Sequence, residues 1–420
     1  MSDTPVDRQK HLAPVLIRFV EINLLLVLLC CIAEAFCRDV LHLAQPYNYP
    51  VLDPNYSFGD FRVYQGKFQF LHHPSFFNVG MPFMYPAPAA PMYDLFYLSH
   101  SHAVRMFLIF ILGSFTVAAI LLWRALSRRG LPAIKAVAFI VSSMALAYPL
   151  WFEIKQGNIE IWVWVWIALG VWAFCSGNDY SAAACFGIAA SVKIFPLVYL
   201  GILLAKRKYR QIAFAALVAV TTTIASLWFI EPDLSGSWRG IQAGLDKAHS
   251  NILLYWPGYM GSDHSLFGAY KRFAHSHMPR PEIMGHILTI YLCVAAVGGV
   301  ALYFARIRQM PLINQVLCLC VASILLAPIS YDYTLIHLYV PWAMLVLFAQ
   351  NRWNAKQKIP GLTAAFVCLA ILVSPETEFI HHREGLGGQI KALVLIVLFY
   401  IALKYPFETG TCQENEVAAL

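Results

Sequence analysis

Long apolar stretches separated by short polar ones run through almost the whole chain. Stretches of about 18 or more apolar residues are typical of membrane-spanning helices. The pattern therefore predicts an all-α, polytopic membrane protein that forms one domain over residues 1–420. The predicted spans are Val15–Cys37, Ala103–Trp123, Ala133–Trp151, Ile159–Cys175, Ser181–Ala205, Ile212–Ile230, Met284–Ala305, Ile313–Ser330, Thr334–Ala349, Gly361–Ser374 and Ile390–Leu403.

Composition agrees with this interpretation and excludes several classes of protein. Hydrophobic residues make up 59% of the 420-residue chain and charged residues 13%, which excludes a soluble globular protein. The net charge of +7 does not indicate a nucleic-acid partner, because the basic residues lie in short loops between spans, where they report orientation. The ten cysteines lie almost entirely in apolar segments and are interpreted as packing residues.

The basic loops indicate the orientation of the chain. Positively charged loops remain in the cytoplasm, and we assign the N-terminus to the same side. Three spans are predicted between Arg129 and Lys206, although both residues belong to cytoplasmic loops, so one apolar stretch must cross twice or not at all. The cytoplasmic basic loops are Arg124–Arg129, Lys206–Arg210, Arg306–Arg308 and Arg352–Lys358.

The stretch Ser181–Ala205 is the best candidate for the irregular crossing. Its centre carries Lys193 and Pro196, and proline interrupts helical hydrogen bonding while a lysine at membrane depth needs water or an anion. Two short segments with Lys193 at an outward-facing tip would give about twelve crossings. One long helix kinked at proline is the alternative. The predicted outer loops are residues 38–102, 231–283 and 375–389.

Candidate chemistry lies on these outer segments. Asp60 stands between Phe58 and Phe61 in the first loop, which we expect to carry interfacial helices because long unstructured loops are uncommon. A carboxylate beside aromatic rings is costly to desolvate without a partner, and Arg62 is the nearest candidate. A candidate general base and an exposed or ion-paired loop carboxylate both remain open.

Four further outer segments supply candidate ligands for a sugar or a phosphate. Lys193 is a candidate phosphate-binding cation, or a lysine that snorkels or pairs with Glu153. The other three segments could equally be solvated turns or helix ends anchored at the membrane surface, without a role in binding. The remaining donor-phosphate candidates are His264, Lys271 and Arg272. The substrate-binding candidates are Arg62, Tyr64, Tyr85, Glu153, Gln156, Asn158, Asp263, Ser265, Tyr331, Asp332 and His337.

Histidine pairs on the outer side invite a metal site, but their spacings match no specific ligand motif and no cysteine joins them. We predict no metal and no cofactor. The pairs are interpreted as interfacial or headgroup-contacting residues: His72 with His73, His100 with His102, His275 with His277, and His381 with His382.

The order of these motifs resembles glycosyltransferase family 87, which belongs to the integral-membrane class C glycosyltransferases. The resemblance extends from about Asp60 to Pro341, and the order and spacing of short motifs carry it. Relatives often place Trp and His after the last motif, where this chain has Tyr331, Asp332 and Tyr333, so Asp332 and His337 are both open as substitutes. The motifs are Asp60-Phe-Arg-Val-Tyr64, Phe83-Met-Tyr-Pro86, Gln156-Gly-Asn158, Lys193-Ile-Phe-Pro196, Ser265–Gly268 and Pro328–Tyr331.

The resemblance implies a sugar donor attached to polyprenyl phosphate, a glycolipid or glycan acceptor, and transfer on the non-cytoplasmic face of a cell (inner) membrane. It also implies that Asp60 is the catalytic base, and we expect inversion at C1 of a mannose or similar hexose. Two other functions remain open from the sequence. Interrupted helices with buried charges also mark transporters and lipid flippases, although we find no internal repeat, and a non-catalytic scaffold would leave Lys193 without a purpose.

Overall fold

The fold is known from a computed structural model that describes residues 10–42, 58–250, 261–274, 280–375 and 386–408. Within these ranges the regular elements are helices. The α-helices are α1 (Pro14–Ala35), α2 (Gly59–Gln65), α3 (Ser75–Asn78), α4 (Ala89–Tyr97), α5 (Ala103–Arg128), α6 (Ala133–Ala145), α7 (Tyr148–Gln156), α8 (Glu160–Cys175), α9 (Asp179–Val192), α10 (Leu200–Ala205), α11 (Tyr209–Ile230), α12 (Leu234–Ala248), α13 (Leu266–Ala274), α14 (Pro281–Ala305), α15 (Leu312–Leu325), α16 (Tyr339–Asn354), α17 (Leu362–Leu372) and α18 (Gly387–Lys404).

Six helices of the described chain are long and apolar enough to cross a membrane. The number rises to seven if α6 and α7, which are bent by 51° at a short break, form one span. Shorter apolar helices, among them α8, α15 and α17, complete the bundle. The all-helical, polytopic membrane fold is therefore confirmed, whereas the number of about twelve crossings stays a prediction.

The predicted break at Lys193 is confirmed. Helix α9 ends at Val192, and Lys193 has an extended backbone with φ −143° and ψ 146°. A 3-10 turn over Phe195–Tyr199 then leads into α10. Lys208 Nζ, after α10, lies 2.6 Å from Asp179 Oδ2 at the start of α9. The chain therefore returns to the end from which α9 began, as the two-segment prediction requires.

Most of the basic loops lie together at one end of the bundle. Arg129 Nε donates to Asn351 Oδ1 at 2.8 Å, and Lys135 Nζ donates to the Lys10 carbonyl at 2.9 Å. Helix α8 runs from Glu160 to Cys175, which at 1.5 Å per residue is about 24 Å. Since its last residues adjoin the start of α9 at the basic end, Glu160 lies at the opposite end.

The first outer loop carries helices, as expected, and aromatic packing fixes them to the bundle. The rings of Phe61 on α2 and Phe107 on α5 stack with centroids 4.7 Å apart. Tyr97 on α4 donates its hydroxyl to the Phe61 carbonyl. Complete burial of a phenylalanine is worth about 1.5–3 kcal/mol, so Phe61 fixes α2, and with it Asp60, on the bundle.

Candidate active site

A left-handed turn after α7 determines where Asp60 lies. Gly157 has φ +63°, and a Cβ atom on it would lie 2.9 Å from both Phe58 and Phe61. Only glycine meets both requirements without strain. Helix α2 consequently packs directly on this turn, and the half-buried Asp60 in its first turn faces Asn158.

Asn158 joins Asp60 to Tyr85. Its Nδ2 donates to Asp60 Oδ2 at 2.7 Å and to Tyr85 Oη at 3.0 Å, and Asn158 itself is buried. The Tyr64 ring packs against Tyr85 with centroids 5.6 Å apart. Burial raises the pKa of the Asp60 carboxyl, while the Asn158 hydrogen bond and the charge of Lys193 oppose that rise. A carboxylate with a raised pKa is a stronger base than a solvated one.

Glu160 holds two further groups at the same end of the bundle. Its Oε1 lies 2.6 Å from Lys193 Nζ, and its Oε2 lies 3.0 Å from His337 Nε2. Glu160 and His337 are completely buried, while 17% of the Lys193 side chain is exposed. We refer to Asp60, Tyr85, Asn158, Glu160, Lys193 and His337 as the Asp60 network.

Aromatic rings surround the lysine of this network. Lys193 Nζ lies 5.5 Å from the ring centroid of Tyr333, 5.8 Å from that of Phe195 and 6.0 Å from that of Tyr85. Ring faces at such distances attract a cation, and rings of this kind also stack on sugars. An ammonium group and, through Asn158, a carboxylate thus approach the same tyrosine, Tyr85.

Glu153 is buried beside this network, on the last turn of α7. Neither of its carboxyl oxygens has a hydrogen-bond partner within the described part of the chain. Gln156, three residues further on, is half-buried, and its Oε1 lies against Gly59 of α2. Both predicted substrate-binding residues therefore lie at the network, and their role stays a prediction.

Two candidate pairings from the sequence are replaced by other partners. Asp60 accepts its hydrogen bond from Asn158, and Arg62 is exposed because it lies two residues along α2 and points away from Asp60. Lys193 pairs with Glu160 at the start of α8, and Glu153 on α7 is not its ion-pair partner.

A second polar group, the Asp263 cluster, is built around the segment that precedes α13. Asp263 Oδ1 accepts from the backbone amides of Ser265 and Ser330, both at 3.0 Å. The Lys271 Nζ lies 3.6 Å from Asp263 Oδ2. His264 approaches Thr334 Oγ1 with its Nε2 at 3.2 Å. We define the Asp263 cluster as Asp263, His264, Ser265, Lys271, Ser330 and Thr334.

Burial is more complete in the Asp263 cluster. All of its members are buried. Burial raises the pKa of Asp263 and lowers that of Lys271, and each of the two charges opposes the shift of the other. Arg272, the next residue on α13, is half-buried. Lys271 and His264 contact Asp263 and Thr334, which do not belong to the Asp60 network. Their predicted contact with a donor phosphate stays a prediction.

Asp332 and Tyr333 point to different groups although they are adjacent in the chain. Asp332 forms a buried ion pair with Lys391 of α18, while Tyr333 faces Lys193. The half-buried Tyr331 packs edge-on against Tyr333 at 5.9 Å. Of the two candidates for the family histidine, His337 contacts Glu160 of the Asp60 network, whereas Asp332 contacts Lys391.

The histidine pairs of the first outer loop are exposed. Among the described residues, no group of three His, Cys, Asp or Glu side chains is arranged to hold a metal ion. His275, His277, His381 and His382 lie outside the described residues.

Sequence reasoning missed Glu160 and Lys391. Both are charged residues at the start of apolar helices, and a charge at membrane depth is a signal of function or of a buried partner. The sequence pattern places Tyr333 only beside Asp332, after the last motif. Its role as a ring facing Lys193 needed the structure.

Fold and site together define a polytopic membrane protein with a charged, aromatic-lined site at the end of the bundle opposite the basic loops. Comparison with known families gives a match to glycosyltransferase family 87 over residues 83–328. Since this match covers more than half of the chain, the protein belongs to glycosyltransferase family 87 and is a membrane glycosyltransferase. The matched segment begins after Asp60 and ends before Tyr331. No curated protein and no solved structure matches the chain.

Proposed function

We propose that this glycosyltransferase transfers a hexose, mannose or a similar sugar, from a polyprenyl-phosphate donor to a glycolipid or glycan acceptor on the non-cytoplasmic face. One observation carries the proposal: the Asp60 carboxylate and the Lys193 ammonium meet at Tyr85. Asn158 donates both to Asp60 Oδ2 and to Tyr85 Oη, and Lys193 Nζ lies 6.0 Å from the centroid of the Tyr85 ring. A base and a cation are the two groups that such a transfer needs.

The roles of the two residues follow from the bonds that change. The acceptor hydroxyl attacks C1 of the sugar, and Asp60 takes the hydroxyl proton as the new C–O bond forms. The bond between C1 and the phosphate oxygen breaks, and Lys193 stabilises the negative charge that collects on the departing polyprenyl phosphate. Attack from the face opposite the phosphate inverts the configuration at C1. No cofactor enters this sequence.

An apolar groove supports a lipid-linked donor. It lies between α5, α6 and α7, and its wall is almost entirely apolar. Ile154 belongs to this wall, one turn before Asn158 of the Asp60 network, so a chain lying in the groove leads from the bilayer towards the site. Residues of the wall include Leu112, Trp123, Ile140, Val141, Trp151 and Ile154.

The proposal is tested with purified protein in detergent, polyprenyl-phosphate mannose or glucose, and a lipid-linked glycan acceptor. We expect release of polyprenyl phosphate together with a glycosylated acceptor whose new linkage, determined by NMR, has the opposite anomeric configuration to the donor. Retention of configuration would contradict direct attack assisted by Asp60. Failure to consume any hexosyl donor would contradict the proposed donor class, and translocation of the intact donor in vesicles would favour a flippase.

A further inference from the structure

One short turn connects the two charged groups of the site. Asn158, which donates to Asp60, also accepts a hydrogen bond on its Oδ1 from the backbone amide of Glu160 at 3.2 Å. Gly157 packs this turn against α2, and Tyr93 donates its hydroxyl to the Gly157 carbonyl at 3.4 Å. The turn from Gly157 to Glu160 therefore fixes the separation between the base and the partner of the cation.

Glu160 divides its two oxygens between two groups from different parts of the fold. Lys193 comes from the break after α9, and His337 comes from the 3-10 segment Asp332–Leu338 that precedes α16. A completely buried carboxylate is costly unless its oxygens are paired. Both oxygens of Glu160 are paired, and the only part of this trio that remains open is the Lys193 side chain.

A lysine side chain needs such an anchor to act at a fixed point. Its ammonium sits on a flexible four-carbon stem with freely rotating donors, and charge stabilisation is effective only when the charge is already in place. A carboxylate at 2.6 Å restricts the stem.

We propose that Glu160 is a positioning residue for the proposed transfer: it holds Lys193, and behind it His337, at the place where the phosphate of the lipid leaves. Glu160 itself has no exposed surface and does not touch the substrate. This inference rests on the proposed function, and it adds that the turn carrying Asn158 and Glu160 sets the geometry of the base and the cation together.

The test is Glu160→Gln, which preserves the shape of the side chain and removes its charge. We expect kcat to fall by about 10²-fold, the loss typical of a misplaced group, while KM for the acceptor changes by less than about threefold. Glu160→Asp keeps the charge on a shorter stem and should restore part of kcat. Glu21→Gln, at an exposed position on α1, is the matched control and should behave as wild type.

Binding of polyprenyl phosphate alone separates this inference from the proposed function, because it needs no turnover. We expect Glu160→Gln to weaken this binding by about tenfold, one factor of ten in an equilibrium constant. In a Lys193→Met background the same change should have little further effect, since the two residues act through one interaction. Full additivity, unchanged binding or tighter binding in Glu160→Gln would overturn the positioning role. If polyprenyl phosphate binding depends on Glu160 but no hexosyl donor is consumed, the proposed sugar transfer is contradicted while the positioning role of Glu160 stands.

Discussion

The Asp60 network and the Asp263 cluster both bring charged side chains into the protein, but their polar atoms have different partners. Asp263 accepts from two backbone amides, and one of them, that of Ser330, belongs to a distant part of the chain. Gly388 of α18 packs so closely that a Cβ atom there would lie 2.7 Å from the Asp263 amide nitrogen. Asp263 thus connects α13 and the loop before α16 through its carboxylate, and the start of α18 through its backbone.

The Asp60 network uses side chains to hold side chains and leaves part of its surface open. Asp60 and Tyr85 are half-buried, and Lys193 keeps 17% of its side chain exposed. Polar groups that bond to backbone amides in closed surroundings stabilise a fold, whereas a carboxylate and an ammonium bordering an open space are available to a ligand. The comparison is therefore consistent with the proposed catalytic role of the first region, and we expect a mainly structural role for the second.

The largest effect that would test this assignment is expected for Asp60→Asn. The amide keeps the volume of the carboxylate but has no useful basicity, so kcat should fall by about 10²–10⁴-fold while donor binding persists. Steady-state kinetics with the polyprenyl-phosphate donor measures the change, and thermal unfolding in detergent checks that the variant is folded.

Asp246→Asn is the matched control for this variant because Asp246 is exposed on α12. It should retain wild-type turnover. Near-normal turnover in folded Asp60→Asn would show that Asp60 is not the catalytic base. The proposed functional difference between the Asp60 network and the Asp263 cluster would then have no support.

Several features of the fold could be predicted because they follow from local rules. Pro196 and the basic loops predicted the break at Lys193, since a proline cannot continue the helix and positive loops share one side of the membrane. The helices of the first outer loop were expected from its length. Several helix ends differ from the predicted ones by a few residues, and the predicted span Ala133–Trp151 is divided into α6 and α7 by a 51° bend.

The partners within the site could not be predicted, because they depend on how distant segments pack. Arg62 is closer to Asp60 in sequence than Asn158, yet the turn at Gly157 presents Asn158 to Asp60 and α2 turns Arg62 outward. Glu160 and His337 are far apart in the chain and meet only because the segment before α16 packs on the start of α8. These are tertiary contacts, and the pattern of apolar and polar residues along the chain does not predict them.

The second test changes the Asp60 network without removing its base. Asn158→Leu deletes the hydrogen bond that opposes the effect of burial on Asp60, so the pKa of Asp60 should rise further above its usual value. Since the base must be ionised, activity is lost as the pH falls through this pKa. The acid limb of kcat/KM should therefore move to higher pH, by about one unit for a hydrogen bond to a charged group.

A pH profile of kcat/KM for wild type and Asn158→Leu measures this shift. The maximal rate should also fall, by about tenfold, because the base loses its orientation. Asn78→Leu, at the exposed last residue of α3, is the control and should leave the profile unchanged. An acid limb that stays in place or moves to lower pH would contradict the electrostatic role of Asn158.

The third test asks whether the region around the Asp263 cluster stabilises the fold. It uses the ion pair between Lys391 and Asp332, which lies beside this cluster. Both side chains are almost completely buried, and removing one partner of such a pair costs about 3–5 kcal/mol. Lys391→Met should therefore lower the unfolding temperature strongly, and Asp332→Leu in the same chain should restore part of it. Activity per folded molecule should stay within about threefold of wild type. A variant with normal thermal stability but no activity would move Asp332 into the catalytic region.

The smallest effect is expected for Arg62→Ala. Arg62 was predicted both to pair with Asp60 and to bind substrate, but its side chain is exposed while Asn158 occupies the partner position at Asp60. Surface substitutions of this kind usually change the free energy of unfolding by less than about 0.5 kcal/mol, and we expect kcat/KM to stay within about twofold of wild type. Arg105→Ala, exposed on α5, is the matched control for the loss of one positive charge. A fall in kcat/KM of about tenfold or more for Arg62→Ala, but not for the control, would contradict this expectation. It would show that the substrate contacts Arg62 as well as Asp60, so that the substrate site extends along α2.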